Sequence, residues 1–294
     1  QGNLIGTDSS GTQALGNEID GVLINGKASN NTLGGTSAGA RNVVSGNPWG
    51  VVISGGGTTG NQVQGNFIGL DSSGTQPLGN QNDGVRIEDA SGNVIGGASS
   101  ESRNVISSNN VGVRIIVVAG SVSGNVVSGN FIGTDITGTL DLGNASEGVR
   151  IDSASANTIG GTTSGAGNLI SANHWGLVIT GIGATANAVQ GNLIGTDSSG
   201  TQALGNDLDG ILINGGAASN QIGSANTGDG TANPDEGNTI EFNGRDGVRI
   251  ESSGSIRNSI LTNRIYLNSG LGIDLVGPSP GPNLLLNAPT LTSI

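Results

Sequence analysis

The seventeen residues from Gln1 to Asn17, QGNLIGTDSSGTQALGN, return without a single change from Gln190 to Asn206. Two variants lie between them, QGNFIGLDSSGTQPLGN from Gln64 and SGNFIGTDITGTLDLGN from Ser128, so the copies start at 1, 64, 128 and 190. Units that recur at a fixed interval bury their apolar faces by stacking on one another, which restricts the chain to a repeat architecture. Gln1 matches Gln64 and Gln190, both inside repeats, so the sequence reads as a fragment of a longer chain.

A shorter signal occurs about twice per unit: Gly, an aliphatic residue, any residue, then Ile or Leu. It stands at positions 21, 50, 84, 112, 148, 176, 210, 247 and 272. Inward apolar alternating with outward variable residues is the two-residue period of a strand with one buried face. Two further short strands, each opening on Asn, follow every instance. The first set starts at Asn31, Asn61, Asn93, Asn125, Asn157, Asn187, Asn220 and Asn258. The second starts at Asn3, Asn42, Asn66, Asn104, Asn130, Asn168, Asn192, Asn238 and Asn263. Three strands per turn with no helical pattern predict an all-β fold, a right-handed parallel β-helix (three-sided β-solenoid) of about 8 to 9 coils. Coils spaced about 4.8 Å apart make a rod of roughly 40 Å. A propeller or sandwich is the alternative, but those folds need hairpins, whereas Asn in columns asks for like stacked on like, with each amide donating and accepting along the stack.

Steps between successive strand signals run 29, 34, 28, 36, 28, 34, 37 and 25 residues, so two kinds of insertion mostly alternate. One lies between the second and third strands, as in GGASSESR at 96–103. The other is the GTDSSGTQALGN loop between the third strand and the next coil. Residues 1–276 form the predicted repeat domain, and 277–294 an irregular Pro-rich tail.

Only 33% of the residues are hydrophobic and 2% aromatic, too little for a thick core but enough for a thin one inside a coil. A formal charge of −12 with ten basic residues disfavours nucleic acid. No apolar run is long enough to insert in a membrane, and the lack of Cys fits a secreted bacterial repeat protein.

The motifs IGTDxxGTxxLGN, NxIGG, RNVISxN and GVxI, with the closing GLGIDL and GPNLLLNAPTLTSI, resemble the right-handed parallel β-helix repeats of large secreted or surface proteins of bacteria. The resemblance spans essentially the whole chain. It implies an extracellular or cell-surface location and a role as a stalk, an adhesive region or a carbohydrate-active scaffold. The segment after GIDL is short here, VGPSPGP, where the family has a longer acidic stretch, so a cation site there is not carried over.

Candidate chemistry comes from four places. Asp8, Asp71, Asp135 and Asp197 sit beside Ser and Thr oxygens in the GTD loops. That composition raises calcium as a cofactor, although equivalent Asp residues about 9.6 Å apart cannot share an ion and Asx-turn stabilisation explains them as well. Acids before the strand signal, Asp20, Asp83, Glu147, Asp209 and Asp246, could supply a carboxylate pair, but they recur with the repeat. His174 is the sole His, and Gly-rich runs such as GGTTSGAG at 160–167 lack a phosphate-loop Lys. The excursion at 224–237 departs from the other units and reads only as solvated chain.

The fourth place is the outward position of the strand signal, which reads Leu23, Val52, Arg86, Arg114, Arg150, Val178, Leu212, Arg249 and Asp274 down the stack. Three Arg occupy consecutive coils. Glu88 and Asp152 stand beside two of them, and Ile116 beside Arg114. Trp49 and Trp175, the only Trp, lie roughly 19 Å apart at either end of the stripe. A shallow groove across Trp49, Arg86, Arg114, Arg150 and Trp175 would suit an acidic polysaccharide, with Trp stacking on a sugar face and Arg gripping a carboxylate. The simpler reading, and the one preferred, is a self-compensated surface ladder with the two Trp covering corners. The expected function is a non-catalytic extracellular structural or adhesive module joined to further domains; the alternative is a polysaccharide lyase or glycoside hydrolase of the parallel β-helix type.

Overall fold

In the computed structural model, which describes residues 1–224 and 236–277, the chain is a right-handed coil of three parallel sheets, two of nine strands and one of eight. The excursion foreseen at 224–237 and the tail at 277–294 fall almost wholly outside the described residues. Strand signals form one sheet, with strands at Asp20–Ile24, Trp49–Ser54, Asp83–Glu88, Val111–Ile116, Glu147–Asp152, Trp175–Thr180, Ile211–Asn214, Val248–Glu251 and Ile273–Val276. Each is followed by a short strand of the second sheet, such as Val94–Gly96, and one of the third, such as Val105–Ile106. Two 3-10 turns, at Ala38–Ala40 and Ser100–Ser102, lie inside the first kind of insertion.

Register follows the repeat. Val85, Val113, Val149 and Leu177 pair in line, as do Ile87, Ile115, Ile151 and Ile179. These inward residues are fully buried, and Val63, Ile95, Val127 and Ile159 of the second sheet and Ile68, Ile106, Ile132 and Ile170 of the third complete one continuous column. A few β-branched residues per coil suffice because each packs on its equivalents above and below.

Three Asn ladders run the length of the rod. In the first, each amide from Asn3 to Asn238 donates from Nδ2 to Oδ1 of the next rung, ending at Asn263. A second joins Asn31 to Asn258 in the same way. These are the two columns expected from the sequence; Asn61, Asn93 and Asn125, for instance, are linked at 3.0 and 3.3 Å. The third ladder, Asn17, Asn47, Asn80, Asn109, Asn144, Asn173, Asn206, Asn243 and Asn268, was not foreseen and guards the corner before the strand signal. In most rungs the acceptor oxygen also takes the preceding rung's backbone N–H, so corner groups that a thin core would strand are satisfied.

The GTD loops fold back over the outer face of the third sheet, where Val43, Phe67, Val105, Phe131 and Leu169 form a satellite cluster with Leu70. Loops two coils apart touch. Ser72 N donates to Gly11 O at 2.9 Å, Ile136 N to Gly74 O at 3.0 Å and Ser198 N to Gly138 O at 2.9 Å, making one ridge along the rod.

Candidate functional site

The outward face of the strand-signal sheet brings Arg86, Arg114 and Arg150 side by side in register, with Val52 and Val178 on either side of them. Trp49 and Trp175 are the first residues of their strands, on the two coils flanking the Arg stripe, and both are half-buried. Trp49 pairs in register with Asp20, and Trp175 with Glu147. Trp175 packs edge-on against His174, with ring centroids 4.3 Å apart.

Arg86 bonds Asp83 at 3.1 Å and Glu88 at 2.7 Å, and Arg150 bonds Glu147 at 2.6 Å and Asp152 at 2.9 Å. Arg114 has no acid in its own strand. It reaches across to Asp152 of the next coil at 2.8 Å, so one carboxylate serves two guanidinium groups. Burial pushes the Asp83 carboxyl up, with Arg86 opposing it. Burial disfavours the charge on Arg150, but the Asp152 and Glu147 bonds outweigh it and raise that group. Asp83, Glu88, Glu147 and Asp152 give the patch one carboxylate more than its three Arg.

Of the remaining acids of the pre-strand set, Asp209 and Asp246 share Arg245, at 3.1 and 3.9 Å, and Asp20 stands apart from them. Asp20 stands on the first coil, paired in register with Trp49. Asp209 is fully buried, bonds Arg245 at 3.1 Å and accepts from Asp246 N at 3.1 Å. Asp246 holds Arg249 at 3.1 Å, and Arg249 also reaches Asp274 at 2.6 Å. A hollow of about 170 Å³ opens beside Trp175, between Arg150, Glu147, Val178 and Asn214. Among the described residues no group of three or more acids or His is placed to hold a metal ion, and no helix is long and apolar enough to cross a membrane.

In the GTD loops the carboxylates are engaged by their own turns. Asp197 accepts from Ser199 Oγ at 2.7 Å and from the amides of Thr201 and Gln202 at 3.1 Å. The Ser10 hydroxyl and the Thr12 and Gln13 amides hold Asp8 down from 3.8 to about 2. Burial opposes ionisation of Asp71, Asp135 and Asp197, but equivalent hydrogen bonds outweigh it and lower all three. Calcium would have to displace these bonds. Carboxyls whose pKa is lower folded than unfolded contribute stability that is complete above 3.8 and is lost as the pH falls through the depressed values, about 2 for Asp8. Replacing Asp71, Asp135 and Asp197 together by Asn is therefore expected to lower the melting temperature at neutral pH and to flatten its decline below about pH 4. Acid-melting curves of the two proteins that run parallel would contradict this.

No family model matches the sequence, and no curated protein matches it. Among solved structures, the chain is similar to the A-module of the mannuronan C-5 epimerase AlgE4 of Azotobacter vinelandii, at 17% identity and a TM-score of 0.32, covering 83% of this chain and 74% of that one. It is also similar to DFA-IIIase from Arthrobacter chlorophenolicus A6 without its lid, at 12% identity and a TM-score of 0.22, covering 74% of this chain and 69% of that one. Both superpositions are loose, and the functional reading rests on this chain's own residues.

Proposed function

We propose that this chain is a non-catalytic, extracellular structural or adhesive module, a stiff β-solenoid spacer. The observation that supports it best is how its polar side chains are used. The Asn amides bond from coil to coil along the rod, and the Arg groups of the outward stripe each bond an acid of the same or the next coil. Groups engaged in joining coils are not aimed together at a substrate. The purified chain, incubated with a panel of acidic and neutral polysaccharides while reducing ends and unsaturated products are followed, is expected to show no turnover. Robust turnover that disappears on replacing one outward carboxylate, such as Glu147→Gln, would replace this reading with a polysaccharide-active enzyme.

A second reading, weak binding of an acidic glycan across Trp49, Arg86, Arg114, Arg150 and Trp175, is favoured by one detail. Arg114 has only a shared carboxylate, and the hollow at Trp175 lies next to Arg150. At low ionic strength an oligogalacturonate should then bind in a salt-sensitive way, and Arg114→Ala should weaken it about tenfold. Equal affinity in that variant would remove the groove.

A further inference from the structure

Two of the insertions between second and third strands end on arginine, Arg41 and Arg103. Each guanidinium lies over a phenylalanine on the third sheet of the next coil, 4.2 Å from the ring centre of Phe67 and 3.9 Å from that of Phe131. Each Nε also donates to a backbone carbonyl, Gly65 O at 3.2 Å and Gly129 O at 3.3 Å. In the third insertion both partners change together: Gly167 stands where the Arg would be, and Leu193 where the Phe would be. A cavity of about 420 Å³ lies there, within the ~300–1,000 Å³ of ordinary small-molecule sites.

Its apolar lining is Phe131, Ile136, Leu169 and Leu193, and among the described residues Arg103 is its only charged one. The half-buried Arg groups of the outward stripe are all paired with carboxylates, whereas among the described residues Arg41 and Arg103 are not. Arg103 has no carboxylate within 4.0 Å among the described residues, and beyond the Nε bond its guanidinium makes no hydrogen bond to them. Burial works against its charge. A partly desolvated planar fork beside an apolar chamber is suited to a carboxylate, which it can hold bidentately. The chamber is shaped where a phenyl ring and a guanidinium stack in the sister coils, so the body it fits is a six-membered ring lying on Leu169 and Leu193.

We propose that this cavity is a binding site for a small carboxylate carried on a six-membered ring, distinct from the outward stripe and independent of whether that stripe binds glycan. Such a ring could be a hydrocarbon or a uronic acid, and two probes separate these sources. Benzoate and D-glucuronate, with benzyl alcohol and methyl glucoside as neutral controls, would be titrated into the full chain at low ionic strength and followed by ligand-observed NMR. At least one acid should bind and its neutral counterpart should not. Binding of benzoate alone identifies a hydrocarbon ring, and of glucuronate alone a sugar.

Two variants test the assignment. Arg103→Met removes the anion partner and should weaken binding about tenfold or more. Leu193→Phe restores the residue of the sister coils, fills the chamber and should abolish binding while leaving the melting temperature equal or higher. Because the sister coils already carry Phe there, this second variant folds even if the first does not. The proposal is overturned if neither acid binds at millimolar concentration, or if Leu193→Phe binds as the parent does.

Discussion

Asn104→Ala is expected to cost about 3 kcal/mol of unfolding free energy, three times what a single surface hydrogen bond is worth. Asn104 is fully buried in the middle of the first ladder. Its Oδ1 accepts both the backbone N–H and the Nδ2 of Asn66, each at 3.0 Å, while its own Nδ2 donates to Val63 O at 2.8 Å and to Asn130 Oδ1 at 2.9 Å. Truncation therefore takes the partner from the Asn66 N–H and from Val63 O of the preceding coil, and a buried group left unpaired carries most of the penalty, ~1–3 kcal/mol each. The Asn66 backbone N–H is the worst placed, because Asn104 Oδ1 is its acceptor, whereas Asn66 Nδ2 keeps Leu33 O and Gln64 O.

Asn104→Asp makes the sharper test because its shape is unchanged. It turns a donor into an acceptor facing Val63 O and Asn130 Oδ1, and it buries a charge. Loss at neutral pH should match or exceed that of the Ala variant. Such a carboxyl has a folded pKa above its unfolded one, so the deficit relative to the parent shrinks as the pH is lowered. Asn31→Ala, at the exposed first rung of the second ladder, should cost under about 1 kcal/mol. Urea denaturation of the three variants at pH 7 and pH 4 measures all of this; equal losses at Asn104 and Asn31 would mean the ladders do not hold the coils.

The parts of this fold that sequence reading reached are those whose spacing is fixed by the strand itself. The inward residue of GVxI lies one or three positions after Gly in every coil, so Val85, Val113 and Val149 align at once. Asn93 and Asn104 directly precede their strands for the same reason. The third ladder was hidden because its distance from the preceding strand varies. Asn109 follows the strand Val105–Ile106 after two intervening residues, whereas Asn80 closes a long GTD loop begun after Phe67–Ile68. Both nevertheless land on one rung, Asn80 Nδ2 to Asn109 Oδ1 at 2.9 Å. The shared LGN ending of the loops was the available signal.

At the outward stripe, sequence reading named Glu88 and Asp152 beside Arg86 and Arg150 but not the second acid that each Arg bonds, Asp83 and Glu147, three residues before it. It missed that Arg114 would find its partner one coil away, since Ile116 beside it suggested an unmatched charge. Side chains as long as Arg span the gap between parallel strands, so a charge count within one coil understates pairing. The contact of GTD loops two coils apart was equally invisible, because it depends on the loops leaning over an intervening coil that has none.

Gly133→Ala is expected to cost about 3 kcal/mol or more, and Gly124→Ala only about 1, although both glycines have left-handed backbones, φ +97° and +67°. The left-handed conformation accounts for the smaller figure, which applies to any side chain added there. At Gly124 a methyl group would meet nothing within 4 Å. At Gly133 it would fall on the carbonyl oxygen of Ser171 in the next coil and against the amide of Asn173, a rung of the third ladder. Ser171 O is backbone and cannot rotate aside, and its coil is fixed by parallel pairing of Phe131 with Leu169 and Ile132 with Ile170. The strain must instead prise these two coils apart, breaking the bonds between them from Leu169 N–H to Asn130 O at 2.9 Å and from Ser171 N–H to Ile132 O at 3.1 Å. Equal destabilisation of the two variants in thermal and urea unfolding would show that conformation alone selects glycine at these corners. A larger loss at Gly133 would show that coil spacing is enforced by direct backbone contact, the property a stiff spacer requires.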